Sequence, residues 1–157
     1  YSSVEDAKLE MSPPDFTGVK LEDFKERVQN RHQGAGMAPG SHDVVMANFE
    51  VQEDGTIKAR LTRANHLRII EALWDHHPAE LYQQVQCPVL IMPARQQSNA
   101  ATQDRGQSRF VSVDEAEQQL PNSKTVWLEN SIHDVPLQRP ELVADLLASN
   151  VADGFFG

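Results

Sequence analysis

The chain predicts an α/β fold in which a helical region precedes strand, helix, strand and helix with parallel strands, and three observations carry that prediction. Cys87-Pro-Val-Leu-Ile-Met-Pro93 is an unbroken apolar run bounded by prolines. Such a run, without polar alternation, is the pattern of a parallel strand covered on both faces. Thr125-Val-Trp-Leu128 is a second short run of β-branched, aromatic and apolar residues, suited to a buried strand. Helical spacing fills the positions after each run: Ala116 and Leu120 within Val113 to Leu120, then Leu142, Val143, Leu146 and Leu147 behind a Pro140-Glu141 first turn. From 87 to 150 this order is the right-handed crossover unit of α/β proteins.

The region before it is read element by element. Residues 1–20 hold Ser2, Ser3, Ser12, Pro13, Pro14 and Gly18 among few apolar positions and read as a mostly irregular arm. Leu21, Phe24 and Val28 then recur at spacings of three and four among charged residues, one amphipathic helix ending near Gln33. Gly34, Gly36, Pro39 and Gly40 break it, and Ser41 or Asp43 can cap a short helix carrying Val44, Val45, Met46 and Phe49. Glu53-Asp-Gly-Thr56 lies between Phe49–Val51 and Ile57–Leu61, either the turn of a small hairpin or a plain loop. Thr62 caps the strongest helix of the chain, with Leu67, Ile69, Ile70, Leu73 and Trp74 on a wide stripe that closes at His76-His77-Pro78. Pro78 opens a short segment with Leu81, Tyr82 and Val85, and residues 95–112 are a polar excursion.

Composition bounds the function. A chain of 157 residues with 39% hydrophobic residues can bury a real core. The formal net charge of -9, with no basic run to offset it, opposes binding to nucleic acid or to anionic lipid. Cys87 is the single cysteine, so an internal disulfide is impossible, and it reads as a small hydrophobe packed at the head of its run. No apolar stretch approaches the roughly 18 residues needed to span a bilayer, and no signal-peptide pattern opens the chain. A cytoplasmic, membrane-free protein is expected, although the start at Tyr1 rather than Met leaves a removed leader open.

The central stretch is Lys124 to Pro140, in which a strand, an exposed turn and a helix start follow one another and His133 occupies the turn. Cys87-Pro-Val-Leu-Ile-Met-Pro-Ala94, the helix ending at Leu120-Pro-Asn122, Val126-Trp-Leu128 with Ser131-Ile-His-Asp-Val-Pro136, and Pro140-Glu-Leu-Val-Ala144 together resemble the C-terminal end of α/β-hydrolase-fold enzymes. The resemblance implies a partial α/β-hydrolase fold: residues 1–85 as a helical cap-like region and 86–157 as the last two strands and helices of the core. It aligns His133 with the catalytic histidine, the last member of the nucleophile, acid, histidine order. An imidazole there takes the proton of a serine hydroxyl attacking an acyl carbon and returns it to the leaving group.

The nucleophile elbow Gly-x-Ser-x-Gly is not in the chain; Gly106-Gln-Ser108-Arg-Phe110 lacks the second glycine and a preceding strand, and Ser108 is given no catalytic role. Where many members carry Gly-x-x-Asp after the seventh strand, this chain reads Ala94-Arg-Gln-Gln97, with Asp104 a poor substitute and Asp134 given a structural or capping role. The resemblance therefore implies that nucleophile, oxyanion hole and acid lie in a missing N-terminal half, and that the chain alone is inactive. It implies a small ester or related acyl substrate and no cofactor. Trp74, Phe49, Met46 and Tyr82 are candidates to line the pocket under the cap. His66, His76 and His77 make a poor metal site, because adjacent helical histidines diverge by about 100 degrees. Two other readings stay open: a dehalogenase or epoxide hydrolase of the same fold with an aspartate nucleophile, and a non-catalytic binding or interaction domain. A strand at 88–93 stripped of its neighbour would also drive self-association through its edge.

Overall fold

The computed structural model describes residues 1–96 and 112–157, which form two compact units, Tyr1–His77 and Pro78–Gly157. The polar excursion, including Ser108 and Asp104, lies mostly outside the described residues. The 3-10 segment Pro78–Gln84 lies in the second unit.

The first unit opens on a helix where an irregular arm was expected. Helix α1, Val4–Met11, is capped by Ser3, whose side chain accepts the Asp6 amide, and Glu5 and Asp6 complement the helix dipole in its first turn. No apolar stripe announces it, because a single small residue, Ala7, is buried. Helix α2, Leu21–Ala35, ends on Gly36 in the left-handed region, which closes the last turn through the Gln33 and His32 carbonyls. Helix α3, Ser41–Met46, follows Gly40. Strands β1, Phe49–Val51, and β2, Ile57–Ala59, form the antiparallel hairpin, with Phe49 opposite Ala59 and Val51 opposite Ile57. Asp54 shapes its turn by accepting the amide and the hydroxyl of Thr56 at 2.9 and 2.7 Å.

The core of this unit joins α2 to the hairpin. Phe24, Val28 and Ile57 are buried, and Phe16, Val19, Leu21, Val45, Met46 and Phe49 pack around them. Phe24 and Phe49 stand 4.5 Å apart between ring centroids, a separation at which aromatic pairs add to simple burial. Helix α4, Arg63–Asp75, is capped by the Thr62 hydroxyl as the sequence predicts, packs on α1 and buries Ile70. A Lys8–Glu71 ion pair links the two helices.

The second unit is mixed α/β with short parallel strands. Strand β3, Val89–Ile91, pairs with β5, Ser123–Thr125, and β4, Ala94–Arg95, pairs with β6, Leu128–Glu129, both in parallel. The two pairs are one ribbon in a single register. Val126 donates to the Ile91 carbonyl and Leu128 to the Pro93 carbonyl, both at 2.9 Å, across the interruption between them. Pro93 has no N–H to give, so the ladder breaks there. Helix α5, 112–119, stands between the paired halves of the ribbon in sequence and buries Ala116. Helix α6, Val135–Gln138, leads to α7, Pro140–Ala152, with Pro140 at its first position.

Two expectations need correction here. Val89–Ile91 is half-buried rather than covered on both faces, since the described ribbon is two strands wide. Cys87 is exposed, because Pro88 delays the strand and leaves the thiol in the bend before it.

A buried polar residue then ties ribbon to helix. Asn150 is 2% exposed; it accepts from Lys124 Nζ at 2.7 Å and donates to the Leu146 carbonyl at 2.7 Å. A buried amide with both ends satisfied fixes one docking of α7 on β5.

Candidate active site

The turn after β6 is built to hold a side chain outward. Asn130 takes φ 56, the left-handed conformation that asparagine tolerates better than most residues. That reversal sends Ser131 into the interior, where it is fully buried, and its amide donates to the Arg95 carbonyl at 3.2 Å, extending the ladder by one bond. Arg139 braces the turn from the other side: Nη1 donates to the Glu129 carbonyl at 2.9 Å and to Ser131 Oγ at 3.2 Å. Gln138 Oε1 accepts the Ile132 amide at 2.9 Å. His133 follows as an exposed bend residue, and Asp134 is the residue before α6, its carbonyl accepting from Leu137 and Gln138 at 3.0 Å. The Asp134 side chain makes no capping bond.

On the flank of this turn, Arg95 pairs with Glu129 at 3.0 Å and lies 4.3 Å from the centroid of the Trp127 ring. His133 thus stands at the carboxyl end of a parallel ribbon, the end at which open α/β sheets place their ligands. The geometry leaves an exposed imidazole on a turn tied down by Arg139 and Gln138.

The other candidates are dispersed. Met46 and Phe49 pack on the Phe24–Val28–Ile57 core, where their burial is core packing. Trp74 is 39% exposed near the end of α4, and Tyr82 is half-buried in the 3-10 segment of the second unit. Only Met46 and Phe49 are brought together. Among the described residues, no three His, Cys, Asp or Glu side chains converge on a point where a metal ion could be held.

Sequence reasoning missed a second polar constellation, a contact between His32 and Ser41 in the first unit. The available signal was the pair Gly36 and Gly40, each able to take positive φ and so to fold one helix end back on the next helix start. The chain matches no family model, no curated protein and no solved structure. No helix among the described residues is long and apolar enough to cross a membrane.

Proposed function

We propose that this chain is the cap-like and C-terminal portion of a serine hydrolase of α/β-hydrolase fold, acting on a small ester or related acyl substrate, with His133 as its general base. The observation that carries the reading is the order at the end of the chain. A two-stranded parallel ribbon, a turn braced by Arg139 and Gln138, the exposed His133, the short helix α6 and the helix begun by Pro140 follow in that order. In this reading the nucleophile, the oxyanion donors and the carboxylate that orients the imidazole come from sequence preceding Tyr1. His133 takes the serine proton during attack and delivers it to the departing alcohol. A cytoplasmic location accompanies the reading.

The test is the intact mass of the native polypeptide, taken beside its hydrolysis of a short p-nitrophenyl ester. A polypeptide longer than these 157 residues whose turnover of the ester is lost in His133→Ala supports the assignment. A native polypeptide of this length without turnover favours a binding domain.

A further inference from the structure

In the first unit, the loop between α2 and α3 is bounded by two glycines in the left-handed region, Gly36 at φ 62 and Gly40 at φ 84. The reversal brings Ser41, the first residue of α3, against His32 in the last turn of α2, with Oγ 3.1 Å from Nδ1. When neutral His32 carries its proton on Nε2, the hydroxyl donates to Nδ1, which is the contact a general base makes with a nucleophile. Ser41 is 6% exposed and His32 half-buried. Both line an open cleft of about 440 Å³, together with Gln29, Met37, Pro39 and His42.

Locking the loop is the plain alternative role for this hydrogen bond. The backbone bonds of the loop are local, Gly36 to Gln33 and Met37 to His32 at the end of α2 and Ser41 to Ala38 before α3, at 3.3, 3.1 and 3.2 Å, so the side-chain contact also ties the two helices together. Neither side chain belongs to the Phe24–Val28–Ile57 core. A second imidazole, His42, meets the His32 ring edge-on with centroids 6.5 Å apart, so the cleft gathers a hydroxyl and two imidazoles beside apolar Met37, Ala38 and Pro39.

We propose that Ser41 is a nucleophile and His32 its general base in an acyl-transfer site of the first unit, taking short-chain acyl esters. Oγ attacks the acyl carbon while its proton passes to His32 Nδ1. The same proton moves to the leaving alkoxide oxygen as the ester C–O bond breaks, leaving an acyl-serine and an alcohol. Water then attacks the acyl carbon and gives a proton to Nδ1. Oγ recovers that proton as the acyl bond breaks and a carboxylic acid departs. The site goes beyond the hydrolase reading and shares no residue with the His133 turn, so the two stand or fall separately.

The probe is phenylmethylsulfonyl fluoride, whose sulfur accepts Oγ as fluoride leaves, applied to the whole chain and read by intact and peptide mass spectrometry. Expected is one adduct, on Ser41, absent in Ser41→Ala and formed at the wild-type rate in His133→Ala. His32→Gln keeps a hydrogen-bonding side chain beside Ser41 and should slow labelling about a hundredfold or more, the contribution of a positioned base. An unlabelled wild-type chain, an adduct spread over other serines, or wild-type labelling of His32→Gln overturns the proposal. Should a variant fail to fold, wild-type chain unfolded in urea replaces it: loss of the preference for Ser41 is expected, and labelling of Ser41 as fast as in the native chain overturns the site.

Discussion

Arg139 donates from Nη1 to the carbonyl oxygen of Glu129 at 2.9 Å, joining the residue before α7 to the end of β6 across the turn that carries His133. The same nitrogen reaches Ser131 Oγ at 3.2 Å. One guanidinium therefore holds both Glu129 and Ser131 in the reversal that precedes His133.

Arg139→Ala should loosen that turn without unfolding the second unit. Charge-assisted bonds to backbone are among the stronger ones, but Arg139 is largely exposed, so a loss of about 1–2 kcal/mol is expected in urea unfolding. Hydrogen exchange localises the effect: the Ile132 amide, bonded to Gln138 Oε1, should lose protection before the Val126 amide of the ribbon does.

Asn150→Leu should destabilise more than its size suggests. It removes the acceptor of Lys124 Nζ and replaces a doubly bonded buried amide with an apolar side chain. A loss of about 1–3 kcal/mol is expected, since the buried amide's bonds to the Leu146 carbonyl and to the Lys124 ammonium are both lost. Lys124→Met in the same background should recover part of it, and a double-mutant cycle in urea measures the coupling.

These two residues mark what was legible in the sequence and what was not. The helices led by Thr62 and Pro140 and the parallel strands followed from capping residues, proline positions and apolar runs, all local properties of a few neighbouring side chains, while the hairpin at Gly55 was one of two readings that its turn residues left open. Helix α1 escaped because its burial rests on Ala7 alone, too small to mark a stripe, while the capping Ser3 was read as one more polar residue of an arm. Cys87 was misplaced because an apolar run does not say where Pro88 lets its strand begin. The turn at His133 was legible as a display position. The Arg139, Gln138 and Asn150 contacts, and the meeting of His32 with Ser41 across a glycine-bounded loop, depend on three-dimensional closure that spacing does not encode.

The hairpin carries a pH dependence. The Thr56 hydroxyl, and next its amide, donate to the Asp54 carboxylate and hold it below its ordinary value. A group depressed in the folded state contributes stability above the unfolded value and loses it as pH falls through the folded one. The contribution should therefore be complete above about pH 4 and fade below it. In a carbon-detected titration by NMR, Thr56→Val should move the Asp54 midpoint upward toward other exposed aspartates. An unmoved midpoint would mean that the turn does not hold the carboxylate.

Among the described residues, β3 pairs with β5 alone, which leaves the other edge of a short apolar strand without a described neighbour. Edges of that kind recruit further strands. Self-association of the chain is expected in light scattering as concentration rises, and Leu90→Lys should weaken it, since an edge charge blocks strand addition. A monodisperse monomer at high concentration would speak against edge pairing.

The most direct test of the hydrolase reading is kcat/KM for a short p-nitrophenyl ester, measured on the native protein that contains this chain and carries Ser41→Ala, with and without His133→Ala. Loss of a general base that works together with a nucleophile should lower the value about a thousandfold or more, with the fold retained by circular dichroism. Unchanged turnover in His133→Ala would contradict the assignment and leave the braced turn as a structural feature of the second unit.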